Sequence, residues 1–177
     1  MKIAVYCGSS PGTAEKFTKA AALLARRIGE KHTLVYGGSN TGLMGTIADE
    51  ALAAGGKVIG VQPNVPLIRA RRHMGLTEYI DTETMAERRT AMIGLADAFV
   101  ALPGGPGTLD EISEVLALTR LGILDKPCVF LDVDGYYVPM RALFEHMAEN
   151  GFAEKEDFRR VLISENIDEV MAFLEQK

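Results

Sequence analysis

Pro103-Gly104-Gly105-Pro106-Gly107-Thr108-Leu109-Asp110-Glu111 is the stretch of this chain best equipped for chemistry. It joins a short apolar run, Ala98–Leu102, to a segment in which Ile112, Val115, Leu116 and Leu118 recur at helical spacing. A strand, a glycine turn and a helix start make a phosphate cradle, because the first N–H groups of the helix lack internal partners and carry the positive end of its dipole. Pro106 has no N–H and stiffens the turn. The candidate donors are therefore the N–H groups of Gly105, Gly107 and Thr108 and the Thr108 hydroxyl, with Gly104 among the glycines that let a ligand approach the backbone. Thr108-x-x-Glu111 also fits a capping box, in which Glu111 bonds back to the helix N-cap. Spacing alone weighs that reading equally with a catalytic role. A carboxylate beside a phosphate cradle, and not in it, suits work on the sugar of a nucleotide.

Met85, Arg88, Arg89 and Met92 fall at i, i+3, i+4 and i+7 and so share one helical face. The methionines imply that this face is buried, yet two guanidiniums sit at its centre. Buried charge needs a partner. An internal salt bridge to Glu83, Glu87 or an acid elsewhere would satisfy it; contact with an anionic ligand, shared with Glu111, is the reading favoured here. Arg69, Arg71 and Arg72 form a second basic cluster, read as a solvated loop.

Two further glycine loops open helices after apolar runs: Cys7-Gly8-Ser9-Ser10-Pro11-Gly12 and Gly37-Gly38-Ser39-Asn40-Thr41-Gly42. If the strands are parallel, all three loops share one edge of the sheet, where Gly8, Ser9, Gly37 and Gly38 join the candidate ligand contacts. None is a dinucleotide fingerprint or a P-loop, which speaks against NAD and against ATP hydrolysis.

These loops need elements to hold them. Strands are expected at Ile3–Cys7, Thr33–Tyr36, Lys57–Val61, Glu78–Asp81, Ala98–Leu102, Pro127–Asp132 and Val161–Ser164. Helices are expected at Glu15–Gly29, Leu43–Ala54, Met85–Leu95, from the Pro103 loop to about Leu121, Val138–Glu149 and Asp168–Glu175, with Pro63–Gly75 an irregular loop or short helix. Such alternation predicts an α/β fold, a mostly parallel sheet with helices on both faces. The 177 residues suit one domain, 1–177. A net charge of −5 argues against nucleic-acid and anionic-membrane partners. No apolar run approaches the roughly 20 residues of a membrane span. The first residues read as a strand and not a signal peptide, and two cysteines read as reduced thiols, so a cytoplasmic location is expected. The three histidines are scattered, and no metal site is expected.

The ordered set Tyr36-Gly37-Gly38-Ser39-Asn40-Thr41-Gly42-Leu43-Met44-Gly45, Met85-x-x-Arg88-Arg89-x-x-Met92 and Pro103-Gly104-Gly105-x-Gly107-Thr108-x-x-Glu111 resembles the Lonely Guy (LOG) family. These are cytokinin riboside 5′-monophosphate phosphoribohydrolases, often labelled possible lysine decarboxylases. The resemblance runs from Ile3 to at least Tyr137 and includes Lys126-Pro127 and Asp134-Gly135-Tyr136-Tyr137. It implies a Rossmann-like, doubly wound fold, no cofactor, and a homodimer or larger homo-oligomer. It also implies hydrolysis of the N-glycosidic bond of a purine nucleoside 5′-monophosphate, AMP or an N6-substituted AMP, with Arg88 and Glu111 as the catalytic pair. The chain departs from the family pattern at Ser39, Arg89, Ala70 and Ala117-Leu118-Thr119-Arg120-Leu121-Gly122, which leaves base preference open. A nucleotide or cofactor carrier is the alternative. For a pyridoxal-phosphate decarboxylase, none of the eight lysines stands out as a Schiff-base residue.

Overall fold

Side chains along each strand face two ways in turn, and in this chain both faces are apolar. Ile3 and Val5 point into one core, Ala4 and Tyr6 into another. A strand buried on both sides belongs in a parallel sheet covered by helices, and a computed structural model, which describes residues 1–176, has that architecture. In chain order the elements are β1 (Lys2–Tyr6), α1 (Glu15–Lys31), β2 (Thr33–Tyr36), α2 (Gly42–Ala53), β3 (Lys57–Pro63), α3 (Pro66–Arg69), β4 (Glu78–Thr82), α4 (Met85–Leu95), β5 (Ala98–Ala101), α5 (Pro106–Arg120), β6 (Cys128–Leu131), α6 (Val138–Glu149), β7 (Val161–Ser164) and α7 (Ile167–Leu174).

The sheet order is β4-β3-β2-β1-β5-β6-β7. Every pairing is parallel, so the sheet is wholly and not just mostly parallel. Ala21, Leu24, Ile47 and Val170 bring α1, α2 and α7 onto one face. Met92, Ile112, Val115 and Phe144 bring α4, α5 and α6 onto the other. No described helix is long and apolar enough to cross a membrane.

The chain winds outward from β1 through β2, β3 and β4, then returns to place β5 on the other side of β1. At such a reversal the loops leaving the two neighbouring strands diverge, which opens a crevice at their carboxyl ends. The glycine loops after β1 and β5 flank this crevice, and the loop after β2 lies beside them.

Within Pro63–Gly75, α3 occupies four residues, and the chain then runs back along the β2 loop. Ser39 bridges Arg72 in antiparallel fashion, Asn40 N–H donates to Arg71 O at 2.8 Å and His73 N–H to Gly38 O at 3.0 Å. These bonds strap the 64–76 segment to the loop after β2.

Candidate active site

Helix α5 begins earlier than the Thr108-x-x-Glu111 spacing implies. Its N-cap is Gly105 and Pro106 is its first residue, the position that proline favours because its fixed φ suits a helix and its missing N–H is not needed there. Thr108 is thereby drawn inside the helix, and Glu111 lies a turn further on. No side chain caps α5, so the capping box is not formed. That releases the Glu111 carboxylate from a local structural task.

Glu111 instead meets Arg88 of α4. Arg88 Nη1 donates to Glu111 Oε1 at 2.5 Å, and Arg88 Nε donates to the carbonyl of Val61 in β3 at 3.1 Å. The two residues are only 7% and 8% exposed. Glu87 is otherwise engaged: Thr84 caps α4 by accepting from Glu87 N–H, and the Glu87 carboxylate accepts from Glu83 N–H at 2.9 Å. The internal salt bridge is thus present, with Glu111, an acid of another element, as the partner of Arg88.

This pair is not saturated. Among the described residues, Glu111 Oε2 and Arg88 Nη2 have no hydrogen-bond partner, and both residues line a cavity of about 370 Å³. Nη2 points at Gly37, where a Cβ would overlap it. Gly37 has an ordinary negative φ, so its glycine makes room for the guanidinium and serves no strained turn. Burial pushes the Glu111 carboxyl above the ordinary range, and the Arg88 charge and hydrogen bond offset only part of that rise. A carboxyl poised in this way can exchange a proton nearer neutral pH than a free glutamate.

The cavity spans the crevice at the sheet's reversal. Gly8 and Ser9 reach it from the β1 loop, Gly37 from the β2 loop, and Gly105, Gly107 and Thr108 from the start of α5. A Cβ at Gly105 or Gly107 would meet nothing within 4 Å, so the helix start faces open space. Three of the expected contact residues stand outside the cavity wall. Arg89 turns away to Glu114 and Asp110, at 2.7 and 3.2 Å. Gly104 lies under the Thr108 side chain, and Gly38, at φ +75°, packs against Gln62.

The wall also holds residues that the sequence reading did not place there. Met44, Leu67, Ile68 and Met85 contribute apolar side chains to it. Met85 was legible as part of the Arg88 helix face, whereas Leu67 and Ile68 lie in a stretch without periodicity. The basic cluster divides. Arg69 and Arg72 pair with Asp81, while Arg71 lines the cavity, and no described residue pairs with its side chain. Cys7 lines it as well, but burial first and then Glu111 push its thiol far above the ordinary range, so it is no thiolate nucleophile. None of the lining residues is a lysine, which leaves a Schiff base no nucleophile in this cavity.

A family model described as "Possible lysine decarboxylase" matches residues 44–174. The cytokinin riboside 5′-monophosphate phosphoribohydrolase of Rhodococcoides fascians is 42% identical over 96% of this chain and 87% of its own. The protein of that name from Mycobacterium tuberculosis is 36% identical over 96% of this chain and 90% of its own. Among solved structures, the molybdenum cofactor binding protein of Rippkaea orientalis superposes with a TM-score of 0.74 at 22% identity, covering 98% of this chain and 94% of the other. At that identity the likeness is one of fold. A buried arginine–glutamate pair beside an open helix start, the three glycine loops and this level of identity along nearly the whole length agree: the chain belongs to the cytokinin riboside 5′-monophosphate phosphoribohydrolase (LOG) family.

Proposed function

We propose that this chain hydrolyses the N-glycosidic bond of purine nucleoside 5′-monophosphates, with AMP or an N6-substituted AMP as substrate, to give the free base and ribose 5-phosphate. The observation that carries this reading is the unsaturated Arg88–Glu111 pair one helical turn from the N–H groups that open α5. The 5′-phosphate sits on Gly105, Gly107 and Thr108, with Gly8 and Ser9 opposite. Glu111 Oε2 then reaches the ribose and the attacking water. As the bond from C1′ to the purine nitrogen breaks, its electron pair leaves with the base and positive charge grows on the ribose, where an adjacent carboxylate stabilises it. Water adds at C1′ and releases one proton through Glu111 to solvent, and the departing base takes up one proton from solvent. Arg88 stays charged throughout; its Nη2 stabilises the electron-rich leaving base, and its Nη1 keeps Glu111 in place. The apolar wall of Met44, Leu67, Ile68 and Met85 accepts the base.

AMP incubated with the protein and resolved by chromatography is the direct test. Free adenine with an equal amount of ribose 5-phosphate is the expected result. AMP recovered intact but bound to the protein would replace this reading with that of a carrier. The chain is further proposed to work as a cytoplasmic homodimer or larger homo-oligomer. Leu121 and Ile123, 71% and 65% exposed just beyond α5, support the oligomer.

A further inference from the structure

Three consecutive carbonyls of the loop between β5 and α5 are held from three directions. Leu102 O accepts the Tyr137 hydroxyl at 2.7 Å, Pro103 O accepts the Gly8 N–H at 3.1 Å, and Gly104 O accepts the Tyr136 hydroxyl at 2.6 Å. A trans peptide group is planar, and its C=O and N–H point in opposite directions. Holding the Gly104 carbonyl toward Tyr136 therefore turns the Gly105 N–H away from Tyr136. Gly8 acts in the same way on the Gly104 N–H. Among the described residues, the N–H groups of Gly105, Gly107 and Thr108 have no acceptor, and all three residues line the cavity.

The two tyrosines do different work. Tyr137 is 7% exposed and packs edge-on to Phe130 at 5.0 Å, as a core residue whose hydroxyl needs a buried partner. Tyr136 is 42% exposed. Water could satisfy its hydroxyl, so burial does not require the bond to Gly104. Its ring is nonetheless braced edge-on by Phe17 of α1 at 5.8 Å and by Tyr137 at 5.1 Å. The turn that delivers it carries Asp134 at φ +54° and Gly135 at φ +73°, with Asp134 paired to Lys16 of α1. A left-handed non-glycine residue, an ion pair and an aromatic brace all converge on one hydroxyl beside the α5 N-cap.

We propose that Tyr136 is a positioning residue for the 5′-phosphate. Its hydroxyl sets the plane of the Gly104–Gly105 peptide and so aims the first N–H of the cradle at the phosphate. The proposal rests on the nucleotide reading above, and it assigns Tyr136 to phosphate affinity and not to bond cleavage, which lies with Arg88 and Glu111. Among the described residues no other segment holds that carbonyl, so loss of the hydroxyl frees the peptide to rotate.

Tyr136→Phe removes one oxygen and keeps the ring contacts. Ribose 5-phosphate, inorganic phosphate and adenine are titrated into the unmodified protein and the variant by calorimetry, and AMP turnover is measured in parallel. The expected result is ribose 5-phosphate and phosphate binding weakened roughly three- to tenfold, the scale of one hydrogen bond. KM for AMP rises by a similar factor, kcat stays within about twofold, and adenine binding is unchanged. Phe17→Leu, which loosens the ring and keeps the hydroxyl, is expected to shift phosphate binding in the same direction by less. Unchanged ribose 5-phosphate affinity, equal weakening for adenine, or a fall in kcat at constant KM would each overturn the proposal. So would failure of the unmodified protein to bind ribose 5-phosphate. Binding of ribose 5-phosphate without cleavage of AMP would remove the hydrolase reading alone, and the affinity ratio would still decide the role of Tyr136.

Discussion

Glu111 holds Arg88 with one carboxylate oxygen, and the other has no hydrogen-bond partner among the described residues. Glu111→Gln keeps a hydrogen-bonding atom for Arg88 and removes only the charge. Its expected effect is a fall in kcat of about a hundredfold or more, the scale of losing one electrostatic partner of a transition state, at a near-unchanged melting temperature. Because burial raises the Glu111 pKa, the carboxylate forms at higher pH than in a free glutamate. In the unmodified protein kcat/KM should therefore climb with pH through that raised value and then level off. Stability has the opposite sign. The folded chain holds this proton to higher pH than the unfolded chain, so the group's contribution is full below the unfolded pKa and declines as pH rises through the folded one. Urea melts between about pH 4 and 8 should show this decline, and Glu111→Gln should flatten it. At this scale the sequence was half legible. The Met85–Met92 face announced a buried Arg88, but Thr108-x-x-Glu111 described a cap as well as it described a catalyst. Proline at the first helical position removes the cap by starting α5 at Pro106, which leaves Thr108 inside the helix.

The elements meet at the site because small residues let them approach. Gly37, at the end of β2, leaves the space that the Arg88 guanidinium enters from α4. Since its φ is ordinary, Gly37→Ala is sterically acceptable to the backbone, and its Cβ displaces the far end of the arginine. A roughly ten- to hundredfold loss of kcat/KM is expected with little change in the thermal midpoint, because about 1 Å of misplacement is costly to catalysis and cheap to folding. A comparable loss of stability and activity together would assign Gly37 to the fold. The glycine loop predicts Gly37 as a backbone contact to substrate; the structure adds that the arginine occupies the place of its absent side chain. The strap from Pro63 to Gly75 was the least legible element. Two prolines and four arginine or histidine side chains carry no periodicity, and the segment is shaped by the bonds of Asn40 to Arg71 and of His73 to Gly38, across about thirty residues of chain. Arg71 faces the cavity for that reason, while its neighbours Arg69 and Arg72 are drawn to Asp81.

The whole molecule places its site where the order of a parallel sheet reverses, between β1 and β5. If it acts as an oligomer, light scattering should give at least twice the 19.2 kDa of one chain. Leu121→Glu combined with Ile123→Glu, at the exposed apolar stretch after α5, should shift that mass toward the monomer. A monomeric mass for the unmodified protein would end the proposal. The sequence by itself determined the alternation of strands and helices, the three glycine loops on one sheet edge, the burial of Arg88 and Met92, though not of Met85 on the same face, and the family. All of these follow from local periodicity, turn chemistry or ordered motifs, which are properties of neighbouring residues. The tertiary structure alone decided which acid meets Arg88, that Arg89 turns away from the cavity while Arg71 lines it, and that Tyr136 reaches the loop before α5. Each of those contacts joins elements far apart in the chain, and only the packing of helices against the sheet brings such partners within hydrogen-bond distance.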